Sequence, residues 1–81
     1  MNVKYIVTRD MRIIVFPPTF NHSDFARFNP VSAGFIWFGV DREGNPKCTC
    51  DGESISLGLK SQPERDTELA MRQLKLDGSY F

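Results

Sequence analysis

Residues 34–40 read Gly-Phe-Ile-Trp-Phe-Gly-Val, and this apolar run decides the fold. Successive side chains of an extended strand point to opposite faces. Phe35 and Trp37 would then lie on one face of a sheet, and Ile36 and Phe38 on the other. A strand that is apolar on both faces needs cover on both. The sequence holds only one helix long enough to cover a sheet, so we expect the second face to depend on a partner or on a second copy of the chain.

The composition favours one small globular domain over residues 1–81. A hydrophobic fraction of 41% with ten aromatic residues supplies a core, which disordered chains lack. Ten acidic residues balance ten basic ones, so the chain lacks the positive field that drives binding to phosphate backbones. No apolar segment approaches the roughly 20 residues of a membrane span. The first seven residues are too short and too strand-like for a signal peptide, so we expect a cytoplasmic protein that does not bind membranes.

The segment before the central run predicts a hairpin and a short helix. Alternation over 3–7 predicts a first strand, and 12–16 predicts a second that ends at the two prolines 17–18. Residues 22–29 predict a short helix whose phenylalanines anchor it on the sheet. Its cap would be Asn21 or Ser23. The two anchoring phenylalanines are Phe25 and Phe28.

The central run and the segment after it predict three strands. A third strand over 33–41 is followed by a turn-rich loop over 42–46 and a fourth strand over 47–50. Asp51-Gly52 is a strong hairpin-turn signal. Residues 54–60 alternate cleanly and predict a fifth strand. Its core-facing side chains would be Ile55, Leu57 and Leu59.

A helix is predicted over 62–76, ending near Asp77-Gly78. Ser61 and Glu64 have the spacing of a capping box at its start. The apolar stripe that would pack on the sheet is Thr67, Leu69, Ala70, Met71 and Leu74. The sequence therefore predicts an α+β fold of order β-β-α-β-β-β-α, with a mainly antiparallel sheet of about five strands and the C-terminal helix on one face. Strands three to five would form a meander.

Two cysteines offer the first candidate for metal chemistry. Cys48 and Cys50 share a strand face, but a structural zinc site wants four ligands and usually a wider spacing. His22 gives a third ligand at best and Asp51 a weak fourth. Packing on a strand face, or exposure on an edge, explains both cysteines more simply. We therefore assign no metal and no cofactor, and keep a metal-binding regulator as an alternative.

The remaining motifs do not support catalysis. Residues 52–61 contain glycines, serines and a lysine, but their spacing matches neither a phosphate-binding loop nor a hydrolase elbow. Residues 22–24 read His-Ser-Asp, yet neighbours along a chain cannot line up as a catalytic triad. Helix capping explains the serine and aspartate, and we expect His22 to face solvent. No residue is assigned a catalytic role, and the chain is not interpreted as an enzyme.

Three stretches resemble sequences from a known group of proteins. They are Lys-Tyr-Ile-Val-Thr at 4–8, Val-Ser-Ala-Gly-Phe at 31–35 and Gly-Glu-Ser-Ile-Ser-Leu-Gly-Leu-Lys-Ser at 52–61. Together they resemble small proteins of bacteriophages and mobile elements that have no assigned activity. The resemblance implies a protein that acts in the host cytoplasm by binding a host protein, in some cases to block a defence system such as CRISPR.

These observations favour a non-enzymatic module that occludes a surface of another protein. Aromatic residues are enriched at the centres of interfaces. The candidate contact residues are Trp37, Phe38, Phe20, Tyr80 and Phe81. A symmetric dimer is also expected, since two-fold pairing hides a self-complementary patch. The alternative is a small metal- or nucleic-acid-binding regulator that stacks bases on the central aromatics, although the charges near them at 41–43 nearly cancel.

Overall fold

The computed structural model describes residues 2–75. Its main sheet has four antiparallel strands in the order β2-β1-β3-β4, and a separate two-stranded sheet pairs β5 with β6. The predicted α+β class is confirmed. The elements are β1 (Asn2–Thr8), β2 (Ile13–Phe16), a 3₁₀ helix (His22–Phe28), β3 (Pro30–Val40), β4 (Pro46–Asp51), β5 (Glu53–Ser54), β6 (Leu59–Lys60) and α1 (Pro63–Gln73).

The central strand is β3, as the apolar run predicts. It is the longest strand and lies between β1 and β4. Ile36 pairs with Val3 on one side and with Cys50 on the other, so these three side chains share a face. Phe35 pairs with Lys4 on the other face. The side chains of β3 therefore alternate between the two faces of the sheet as the sequence predicted.

The two faces of the sheet are covered by different elements. On one, which we call the helix face, the buried residues lie under α1: Tyr5, Val7, Ile36, Cys48, Cys50 and Ala70. On the opposite face, the buried residues Ile6, Phe16 and Ala33 contact Phe25 of the 3₁₀ helix and the leucines of the β5–β6 hairpin, Leu57 and Leu59. The second face is thus covered in part by the chain itself.

The predicted fifth strand is wrong in its middle, and the predicted meander ends at β4. Residues 55–58 form a turn that reverses the chain, so that β5 pairs with β6 and not with β4. Gly58 takes a φ of +66°, and its N–H donates to the carbonyl oxygen of Ile55 at 3.2 Å. Ile55 is 88% exposed, whereas Leu57 and Leu59 pack as expected. A strand and a tight hairpin place those two leucines equally well, so alternation alone did not distinguish them.

The start of α1 also differs from the expected capping box. The first helical residue is Pro63, and the side chain of the N-cap residue, Gln62, makes no capping hydrogen bond. Instead the Gln62 N–H donates to Oδ2 of Asp66 at 2.9 Å, so a carboxylate inside the helix stabilises its first turn. The predicted end of this helix at 76–78 lies outside the described residues. Neither α1 nor the 3₁₀ helix, the two helices of residues 2–75, is long and apolar enough to cross a membrane.

Candidate protein-interaction surface

The last residues of β3 leave large apolar side chains in solvent. Trp37 is 46% exposed, Phe38 38% and Val40 63%. Strand alternation places Trp37 on the opposite face and both Phe38 and Val40 on the helix face. Apolar exposure on both faces of one strand end is unusual for a strand at the centre of a sheet, and it makes this end a candidate contact surface.

An apolar groove of about 460 Å³ opens on the helix face beside Phe38. Its lining residues come from the start of β1, the end of β2 and the end of β3. They are Val3, Val15, Phe16, Pro17, Pro18 and Phe38. No lining side chain ionises or carries a hydrogen-bonding group, so the groove can bind apolar groups but offers no acid, base or nucleophile.

The path of α1 explains why the groove stays open. The helix ends beside the β1–β2 turn, where the Gln73 side chain accepts from the N–H of Ile13 at 2.9 Å and donates to the carbonyl oxygen of Met11 at 2.6 Å. These contacts fix the end of α1 beside that turn. At the level of Phe38 the helix covers β4, where the paired Cys48 is 4% exposed, but it leaves Phe38 itself 38% exposed.

The loop beyond the exposed strand end is held by a side-chain cap. Oδ1 of Asp41 accepts the N–H groups of Glu43 and Asn45, each at 2.9 Å. The Asp41 N–H donates to the carbonyl oxygen of Asn45 at 2.9 Å. The hydrogen bond from the backbone N–H of Asn45 is the main cause that lowers the pKa of Asp41. The β3–β4 hairpin therefore holds Phe38 and Val40 on a loop ordered by its own hydrogen bonds.

Phe20 and Trp37 lie apart from the groove. The Phe20 ring meets the Phe25 ring edge to face, with centroids 6.3 Å apart, on the opposite face of the sheet. Its carbonyl oxygen accepts from Nζ of Lys4 at 2.8 Å. Trp37 donates from Nε1 to Oδ1 of Asp51 at 3.3 Å. Of the five predicted contact residues, only Phe38 lines the groove; Tyr80 and Phe81 lie outside the described residues.

The structure does not bring the three metal-ligand candidates together. Cys48 and Cys50 are buried under α1 on the helix face, while His22 lies on the opposite face. Burial raises the pKa of Cys50 to about 12, with the Cys48 thiol as the next cause. Residues 2–75 contain no group of three side chains that could hold a metal ion. The central aromatic residues that could stack bases are also separated, because Trp37 and Phe38 lie on opposite faces of the sheet.

His22 is buried, contrary to the solvent-facing position predicted for it. It is 5% exposed, and its Nε2 lies 2.9 Å from the carbonyl oxygen of Gly34. Its ring meets the rings of Phe16 and Phe35 edge to face, with centroids 5.6 and 5.7 Å apart. The residue therefore attaches the 3₁₀ helix to the sheet, which is a structural role.

A buried polar network under α1 went unrecognised in the sequence. The Tyr5 hydroxyl donates to Oδ2 of Asp66 at 2.6 Å, and Nε of Arg65 donates to Oδ1 of Asp66 at 3.2 Å. Arg65 also donates to Oγ of Ser32 at 3.0 Å. Tyr5, Ser32 and Asp66 are buried between helix and sheet, whereas the Arg65 side chain stays 41% exposed and closes the network from the solvent side. The network lies away from the groove and stabilises the fold.

No family model, no curated protein and no solved structure matches this chain.

Proposed function

We propose that this protein is a non-enzymatic binding module that covers a surface of another protein, and that its contact surface is the end of β3 with the apolar groove beside it. The observation that carries the proposal is the exposure of Phe38, which lines a groove without ionisable side chains, and of Val40, two residues further along the same face of β3. Such a surface can exclude water from a partner's apolar groups, which is the main source of affinity in the centres of interfaces.

The charge distribution supports a protein partner over a nucleic acid. A phosphate backbone requires several lysine or arginine contacts, and the groove lining supplies none. The formal net charge of the chain is zero. The resemblance to small phage proteins points to a host protein as the partner and to occlusion of its working surface as the effect.

Capture of a partner from a bacterial host lysate tests the proposal. Wild-type protein and three variants serve as baits: Phe38→Ser in the groove, Trp37→Ser on the other face of β3, and Ile55→Ser as the control. Ile55 is the most exposed large apolar side chain of the described chain and lies on the β5–β6 hairpin. Circular dichroism and thermal unfolding first establish that each variant is folded.

We expect the wild-type and Ile55→Ser baits to capture the same host polypeptide from the lysate, and the Phe38→Ser bait to fail to capture it. Loss with Trp37→Ser as well would show that the partner contacts both faces of the strand end. Equal retention by Phe38→Ser and by wild type would contradict the groove as the contact site.

A further inference from the structure

We propose that a second pocket, on the face of the sheet opposite α1, binds a small organic carboxylate that carries a short aliphatic chain. The pocket has a volume of about 310 Å³ and lies where the β1–β2 turn, the end of the 3₁₀ helix and the β5–β6 hairpin meet. Its lining residues are Arg9, Ala26, Asn29, Pro30, Leu57 and Leu59. None of them lines the groove beside Phe38, so the proposal is independent of the proposed function.

The pocket lining has one charged side chain, Arg9, and no acidic residue. The ion pairs within residues 2–75 use Arg12, Arg65 and Arg72, and Arg9 takes part in none of them. A guanidinium binds a carboxylate through two parallel hydrogen bonds. The single cation of this lining therefore matches the single charge of a carboxylate.

The acidic side chains that neighbour the lining along the chain or across the hairpin have interactions of their own. Asp10 pairs with Arg12 at 3.6 Å. Oδ2 of Asp24 accepts an N–H at the start of the 3₁₀ helix at 2.9 Å. Glu53 lies opposite Lys60 in the register of the β5–β6 hairpin. The charge of the pocket arginine is thus left for a ligand.

Leu57 and Leu59 form the apolar wall of the pocket. The hairpin turns at Gly58, which has a φ of +66°, and both leucines pack on the sheet while part of each stays in solvent. Each ligand methylene buried on this wall should tighten binding by up to about fourfold. On the polar side, the amide of Asn29 can donate a further hydrogen bond to the carboxylate.

Titration of isotope-labelled protein with acetate, butyrate and hexanoate, followed through amide chemical shifts, tests the proposal. We expect saturable shifts at Ala26 and Leu59, with a dissociation constant that falls as the chain lengthens. Hexan-1-ol has the same chain without the charge. It should bind at least about tenfold more weakly than hexanoate, because it cannot form the charged pair with Arg9.

Two pairs of variants locate the ligand. Arg9→Gln should weaken hexanoate binding by at least about tenfold, whereas Arg42→Gln, which removes an exposed arginine of the β3–β4 loop, should leave it unchanged. Ala26→Glu places a carboxylate in the pocket wall, where it competes for Arg9, and should weaken binding likewise. Its matched control is Ser23→Glu, an exposed position of the same 3₁₀ helix outside the lining. Circular dichroism first establishes that each variant is folded.

Shifts that rise in proportion to hexanoate concentration without saturating would overturn the proposal, and so would equal affinities of Arg9→Gln and wild type. Hexan-1-ol binding as tightly as hexanoate would also overturn it, because the guanidinium would then not hold the ligand. Each of these results leaves the proposed function standing, since capture of a host protein through Phe38 uses the other face of the sheet. Conversely, saturable hexanoate binding without a captured host protein would contradict the proposed function alone.

Discussion

The hydroxyl of Tyr5 donates a hydrogen bond to Oδ2 of Asp66 at 2.6 Å, which joins β1, the first strand, to the first turn of α1, 61 residues further along the chain. Both residues are fully buried. The same carboxylate accepts from the Gln62 N–H, so one side chain both starts the helix and fixes it on the sheet. A buried carboxylate is tolerated because every oxygen has a donor.

Removing the donor tests this link. Tyr5→Phe preserves the ring but leaves a buried carboxylate oxygen with fewer donors, and we expect it to lower the free energy of unfolding by about 1–3 kcal/mol. Urea unfolding at neutral pH measures the change. Glu64→Gln in the same turn of α1, an exposed position, is the control and should change stability by less than about 0.5 kcal/mol. A Tyr5→Phe protein as stable as wild type would show that Asp66 is satisfied without the hydroxyl.

Alkaline pH should weaken the fold through buried thiol and phenol groups. The pKa of Cys50 rises from 9.0 to about 12 because of burial, and burial followed by the hydrogen bond to Asp66 raises the pKa of Tyr5 above its ordinary 10.0. For groups raised in the folded state, the stabilisation is complete below the unfolded-state pKa and is lost as pH rises above it.

We therefore expect the free energy of unfolding to fall from about pH 9, at up to about 1.4 kcal/mol per pH unit for each titrating group, with Tyr5 adding its share above about pH 10. Urea unfolding at pH 8 and at pH 10 measures the fall. Cys50→Ala should show a smaller fall between these two values than wild type. An equal fall in both proteins would assign the effect to other groups.

Two glycines of β3 should respond oppositely to the same substitution. A Cβ on Gly34 would lie 2.3 Å from the carbonyl oxygen of Asp51, which is backbone and cannot move aside, whereas a Cβ on Gly39 would meet nothing within 4 Å. We expect Gly34→Ala to destabilise the fold by about 2 kcal/mol or more, and Gly39→Ala to be neutral or slightly stabilising. Thermal unfolding of the two variants provides the comparison. Similar losses in both would mean that β3 and β4 are not so closely spaced at Asp51.

The helix also protects the β4 edge of the sheet. Oγ1 of Thr67 accepts the Cys50 N–H at 2.9 Å, occupying a backbone donor that an edge strand would otherwise offer to other chains. Thr67→Val keeps the shape and removes the acceptor, so we expect a loss of about 1–2 kcal/mol and faster hydrogen exchange at the Cys50 amide. The Ile36 amide, inside the sheet, is the internal reference. Unchanged exchange at Cys50 would indicate that Thr67 does not protect the edge.

How far the sequence predicted the fold can be judged from particular residues. The first four predicted strands and the short helix anchored by Phe25 follow from local spacing, and all of these are present. Ile55 was assigned to a strand because residues 54–60 alternate between polar and apolar side chains. The two short strands of a hairpin joined by a turn fit the same alternation. The buried position of Asp66 had no such local signal, since its partner Tyr5 is 61 residues away and no local pattern links the two.

The sequence by itself determined the α+β class, the central position of β3 and the alternation that sends Trp37 to one face and Phe38 to the other, because steric preferences and side-chain periodicity act over a few residues. Only the tertiary structure decided which of these side chains stay in solvent. That outcome depends on where α1 crosses the sheet, and Gln73 and Thr67 set the crossing through contacts with β2 and β4. Contacts between distant parts of a chain depend on packing in three dimensions, and for that reason the groove beside Phe38 is visible in the fold and not in the sequence.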